Sequence, residues 1–267
     1  MIWQLHTSSS PSRRDPETAG SVPSGPGAST LRVLAFLLLW TAAGISGTVT
    51  GSVRLVESGN AGARGHNDFS GVAIWLEPSD GNALPLRPKT VQMAQRKKHF
   101  EPAILAIPLG TTVEFPNFDP IFHNVFSNYS GQIFDVGLYP KGTVPKVVFT
   151  RPGIVLVFCN IHPTMSAAIV VVNTPYVTVS GGDGSYRIDG VRPGEYRLHV
   201  FDQQATEQTT NSLQRSITVG NDPATFAAIE ISESGSVQVP HKNKYGQDYP
   251  AVIEDRPMYL PGSRTRR

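Results

Sequence analysis

Apolar residues in this chain come in short runs of Val, Ile, Leu and Phe, broken by clusters of Gly, Pro, Asn and Asp. That rhythm predicts strands and tight turns, and no long stretch with helical period follows residue 47. Runs at 48–56 and 71–77 predict two strands, separated by a Gly/Asn/Asp loop at 58–70, and the turn-rich 78–88 reads as a linker. Between 90 and 172 the pattern predicts strands at 91–95, 104–108, 111–116, 123–127, 131–138, 146–150, 154–158 and 167–172, with a basic loop at 96–99. A third set follows at 176–179, 185–188, 195–201, 215–219 and 225–232, punctuated by turns at 181–184 and 191–194. Residues 233–267 have no period and predict an extended tail. The expectation is an all-β fold of sandwiched sheets.

One apolar block does not fit that rhythm. Residues 33–43, after Arg32 and before Gly44, Ser46 and Gly47, are too short to span a bilayer comfortably but suit the core of a secretory signal. The alternative is an amphipathic or buried helix. Export to the periplasm or medium is expected, with cleavage between Ala43 and Gly47. No membrane span would remain.

Composition narrows the function. The 267 residues carry a formal net charge of +2 and are 39% hydrophobic, with 25 Gly and 22 Pro. Removing residues 1–47 takes away Arg13, Arg14 and Arg32 against Asp15 and Glu17, so the balance stays near neutral. Nucleic-acid binding needs a clustered basic face and is not expected. A single cysteine allows no internal disulfide, and a lone thiol in an exported protein needs protection. Metal ligation would supply it.

That cysteine lies in Phe158-Cys159-Asn160-Ile161-His162-Pro163-Thr164-Met165, directly after a strand-like run. Upstream, another apolar stretch leads into His123-Asn124-Val125. Two His and one Cys with a weak axial Met make the ligand set of a blue-copper electron-transfer site. Cu(I) prefers soft sulfur and Cu(II) accepts imidazole, so a site that cycles between them mixes both. Singly, the bland readings hold: a Cys is commonly a small buried hydrophobe, and a Met or His commonly core filler or a satisfied polar group. Jointly, the order His123, Cys159, His162, Met165 points to one copper ion.

Two resemblances extend this reading. Residues 100–117, the His-Asn pair and the Cys-x2-His-x2-Met loop resemble the plastocyanin-like cupredoxins, with the short loop of amicyanin-type members. The resemblance implies a Greek-key sandwich over 88–172 and an apolar rim of Pro120, Ile121, Phe122 and Pro163 around an exposed edge of His162, where electrons enter. It further implies that Asn124 ties the His123 strand to the Cys159 loop through hydrogen bonds. Residues 183–188 and 192–198 resemble carboxypeptidase regulatory-like domains, whose first two strands are missing just before Tyr176. The runs at 48–56 and 71–77 have the character of those strands. The expected arrangement is a second small, prealbumin-like sandwich made from 48–80 with 174–232, into which 88–172 is inserted. Three consecutive units are the alternative. Residues 48–232 as a whole resemble bacterial methylamine-utilisation or plastocyanin-like proteins.

The implied function is single-electron transport between redox partners in the cell envelope. A copper-handling or partner-binding module, with copper structural or in transit, is the alternative. His6, His66, His99, His199 and His241 are scattered singly and build no further copper cluster, which argues against an enzyme. Asn128-Tyr129-Ser130 fits a glycosylation sequon, expected to be silent in a bacterium. The Asp183 turn reads as a plain β-turn rather than a calcium site. Arg96-Lys97-Lys98 reads as a solvated loop, and no role is assigned to 241–245.

Overall fold

The structure, a computed structural model, describes residues 46–56, 68–128, 131–232 and 241–250. The export segment at 33–43, most of the loop at 58–70, Tyr129 and Ser130 of the sequon, and tail residues 233–240 and 251–267 lie outside the described residues. No helix among the described residues is long and apolar enough to cross a membrane.

The chain forms β1 (Gly47–Val56) and β2 (Ala73–Pro78), then β3 (Thr90–Gln92), β4 (Ala94–Arg96), β5 (His99–Glu101), β6 (Ile104–Pro108) and β7 (Thr112–Glu114). Next come β8 (His123–Ser127), β9 (Phe134–Tyr139), β10 (Lys146–Val148), β11 (Gly153–Phe158) and β12 (Ser166–Val172). The last group is β13 (Val177–Val179), β14 (Ser185–Val191), β15 (Gly194–Phe201), α1 (Glu207–Ser212), β16 (Arg215–Val219), β17 (Ala224–Thr225) and β18 (Ile229–Ser232). The all-β expectation holds. The short α1 was not anticipated; its sequence is polar throughout, and it is nucleated by Thr206, whose side chain accepts from the Thr209 N–H.

Strand pairing crosses long stretches of sequence. β1 pairs antiparallel with β14 and parallel with β17 and β18, while β2 lies between β13 and β15, with β16 beyond. These two sheets enclose one core, including Val49, Ile74, Leu76, Tyr186, Leu198 and Ile231. The intervening segment builds the order β6-β12-β11-β8-β9 and a smaller sheet, β10-β7-β3. Their core includes Phe115, Val125, Phe149, Val157, Cys159 and Ile169.

The two-residue period of a strand decides which core each side chain enters. On β12, Ala167, Ile169 and Val171 face the second core. Ala168, Val170 and Val172 face the other way, into a third cluster with Ile104 of β6 and Ala73 of β2. On β2, Ile74 and Leu76 belong to the first core while Trp75 packs on that third cluster. A continuous apolar run covered on both faces is the pattern of a fully buried strand. The third cluster therefore joins the two sheet pairs by direct packing.

The expected basic loop at 96–99 is instead the turn of the β4–β5 hairpin. Lys97 and Lys98 both take left-handed φ values, 51° and 60°. Two consecutive positive φ angles make the hairpin turn whose twist matches the flanking strands. Non-glycine residues are held there by hydrogen bonds described below.

Candidate metal centre

Each half of the site hangs on a strand end. β11 finishes at Phe158, so Cys159 leaves the sheet at a fixed point, and β12 resumes at Ser166 with Phe158 paired to it. The 159–165 loop is closed by two backbone bonds, Cys159 N–H to Met165 O at 3.2 Å and Met165 N–H to His162 O at 3.0 Å. His123 opens β8, a strand buried along its whole length that pairs with β11 and β9.

These elements bring His123, Cys159 and His162 together, all buried, with one potential ligand atom from each within 4.8 Å of the others. Cys159 Sγ lies 3.8 Å from His123 Nδ1 and 3.6 Å from His162 Nδ1. The imidazoles meet edge to face with centroids 4.9 Å apart. Met165 is fully buried in the same core cluster as Cys159. A metal–nitrogen bond and a metal–sulfur bond laid end to end span at most about 4.4 Å. Both observed separations are shorter, so one ion can bond the sulfur and both rings. The donor set fits copper.

Asp119 fixes the chemistry of His123. Its Oδ2 lies 2.9 Å from His123 Nε2. An ionised carboxylate only accepts, so Nε2 carries the hydrogen and Nδ1 presents its lone pair toward the sulfur. Asp119 is itself held by the N–H groups of Lys97 at 2.6 Å and Lys98 at 2.8 Å, and its own N–H donates to Asn117 Oδ1. Burial alone would raise its pKa, but the Lys98 N–H, His123 and the Lys97 N–H outweigh burial and hold the carboxyl below its ordinary range. The strained hairpin turn thus serves the site through backbone donors.

The thiol is tuned from two directions. Burial pushes the Cys159 pKa up, while the N–H groups of Ile161, Asn124 and His162, aimed at the sulfur, oppose it. Without an ion the neutral thiol is favoured; a bound cation displaces the proton, and those three donors are then in place for the thiolate.

One expectation is narrowed and another is corrected. The Asn124 side chain does not reach the Cys159 loop: its Nδ2 donates to Asp135 Oδ1 at 2.8 Å and to Gly137 O at 2.9 Å, both on β9. Side chains alternate along a strand, and this one points across the β8–β9 pair; the link to Cys159 runs through the Asn124 backbone N–H instead. Nor does His162 show an open edge. It is 3% exposed, so the edge of the ring away from the Nδ1 that faces the sulfur is covered as well. Of the expected rim, Pro120 is exposed and Ile121, Phe122 and Pro163 are partly buried.

Two further groups were missed in the sequence. Asp119 had a faint signal, an acid four residues before His123 in a proline-containing turn. The tail had none, yet residues 241–249 contact the ligand loop at Cys159, Asn160 and Pro163 and the end of β11 at Phe158.

No protein-family model matches the chain, and no curated protein matches it at a significant level. Among solved structures it is similar to a purple cupredoxin from Nitrosopumilus maritimus, at 26% identity and TM-score 0.29, over 30% of this chain and 98% of that one. It is similar to the Cu-containing nitrite reductase NirK from Thermus scotoductus SA-01 at 32% identity and TM-score 0.30, over 34% of this chain and 24% of that one. A reduced amicyanin mutant aligns at 23% identity and TM-score 0.30, over 31% of this chain and 82% of that one. Cupredoxins are thus among the chain's structural neighbours, and each likeness spans about a third of its length.

Proposed function

We propose that the chain is an exported type 1 copper protein that carries single electrons between redox partners of the cell envelope, with His123, Cys159, His162 and Met165 as ligands to one ion. The observation that carries the reading is the buried convergence of one sulfur and two imidazole nitrogens within 4.8 Å. Copper bound there would supply a one-electron couple between Cu(I) and Cu(II). The chain's own part is to hold a fixed donor geometry. Asp119 keeps the His123 tautomer, the loop carbonyls and N–H groups pin Cys159 against Met165, and three N–H groups face the sulfur. A carrier, rather than an enzyme, is the role this supports. The strand pairings support a cupredoxin unit at 88–172 set into a carboxypeptidase regulatory-like sandwich of 48–80 and 174–232.

The test is reconstitution of the purified chain with Cu(II). An intense blue colour from thiolate-to-copper charge transfer is expected, and Cys159→Ser should abolish it while the fold persists. A colourless Cu(II) complex of folded parent protein would defeat the proposal.

The burial of His162 favours a second reading, in which copper is structural or in transit within an envelope module. Fast reversible voltammetry with little structural change supports the carrier. Ready transfer of the ion to an acceptor, with sluggish electrochemistry, supports the module.

A further inference from the structure

The tail segment 241–250 lies far from the ligand loop in sequence and against it in space. His241 stacks on Phe158, ring centroids 4.0 Å apart, and its Nε2 lies 2.9 Å from Pro163 O. The Tyr249 hydroxyl donates to Cys159 O at 2.9 Å and sits 3.1 Å from His241 Nδ1. The Lys244 N–H donates to Asn160 Oδ1 at 2.9 Å, and Lys244 Nζ reaches Asp135 Oδ2 at 2.6 Å.

These contacts fall on both walls of the site. Cys159, Asn160 and Pro163 belong to the loop that bears two of the three convergent donors, and Phe158 ends the strand that leads into it. Asp135 belongs to β9, where it also accepts from Asn124, whose N–H faces the Cys159 sulfur. Carbonyls in such a loop have no sheet partner, and an unpaired buried carbonyl carries a desolvation cost. Pro163 O and Cys159 O receive their donors from the tail.

We propose that residues 241–250 form a strap that positions the ligand loop for copper, with His241 and Tyr249 as its clasp and Lys244 as its anchor on β9. This rests on the copper reading above. The strap bears on the loop from Cys159 to Pro163 while Asp119 grips His123, so each half of the donor set has its own outer partner. Partners of that kind orient ligands and slow metal loss. A bound ion and a docked strap then favour the same loop conformation, and each should hold the other in place.

The experiment uses the full-length chain with His241→Ala, Tyr249→Phe and His241→Gln. The first readout needs no metal: amide hydrogen exchange of residues 159–165 in the copper-free protein. Losing one hydrogen bond should speed exchange about fivefold for Tyr249→Phe, and His241→Ala, which also loses the stack, should exceed it. The second readout is the copper-loaded protein, where His241→Ala should release copper to a chelator about tenfold faster and shift the charge-transfer band. His241→Gln keeps an N–H for Pro163 O and should recover part of both effects. Exchange rates indistinguishable from the parent in both His241→Ala and Tyr249→Phe would overturn the strap. A parent that binds no copper would instead remove the copper reading, and the strap would then stand or fall on the exchange data. Faster exchange with unchanged copper release and spectrum would overturn the positioning role.

Discussion

Replacing Asp119 by Asn tests the tautomer argument. The carboxylate accepts from three N–H groups: Lys97 at 2.6 Å on one oxygen, Lys98 at 2.8 Å and His123 at 2.9 Å on the other. An amide of the same shape has one oxygen and one NH2; with the oxygen kept on Lys97, the shortest of the three contacts, the NH2 confronts both the Lys98 and the His123 donors. Backbone N–H groups cannot reverse. The imidazole can, by moving its hydrogen from Nε2 to Nδ1, the atom that faces Cys159 Sγ. Metal binding would then have to drive the hydrogen back, and the bound state would lack the parent's charge-assisted His123–Asp119 bond, worth about 1.5–3 kcal/mol. At about 1.4 kcal/mol per tenfold, copper affinity should fall about 10- to 100-fold. Stability of the copper-free chain should fall by about 1–3 kcal/mol, since the Lys98 N–H loses its acceptor. Chelator competition measures the first effect and thermal denaturation of the copper-free protein the second. A variant that melts earlier yet binds copper as tightly as the parent would show that Asp119 only holds the hairpin, and would refute the tautomer argument.

Two more predictions follow from the site and its strap. Met165→Gln should lower the reduction potential while copper stays bound, read by voltammetry; an unchanged potential would remove the thioether from the ligand set. The Lys244–Asp135 pair gives the strap a pH window. Burial alone would raise the Asp135 pKa, but Lys244, the Gly137 N–H and Asn124 together carry it below its ordinary value, while Asp135 raises that of Lys244. The acidic partner therefore stabilises docking above the ordinary Asp range and loses that contribution as pH falls through the depressed value. The basic partner contributes below its ordinary pKa and fails only as pH rises through the raised one. Loop exchange, corrected for its intrinsic pH dependence, should be flat at neutral pH and rise in acid; Asp135→Asn should flatten the acid limb.

What the chain disclosed on its own follows from the range of the interactions involved. The apolar run that forms β6, Ile104–Pro108, and the one that forms β8, His123–Ser127, begin and end where turn residues interrupt them, so local pattern sufficed. Cys159 was legible as the residue just past a strand, and His162 and Met165 as loop neighbours at short spacing. Contacts without a periodic signature were not. Asp119 meets Lys97 and Lys98 across more than 20 residues, and the hairpin turn carries no glycine to announce its positive φ. His241 reaches Pro163 over 78 residues and Tyr249 reaches Cys159 over 90, from a segment with no hydrophobic period. Whether Asn124 would meet Cys159 through its side chain or its backbone was not legible, because that depends on which face of β8 the side chain occupies, and one residue of register decides it.

β12 carries a consequence for anyone dissecting this molecule. With Ile169 committed to one lobe's interior and Val170 to the seam shared with Ala73, cutting the chain into its apparent modules would leave a bare oily wall on each piece. Such fragments should clump rather than behave as soluble miniatures, and heat should melt the intact protein in a single cooperative step.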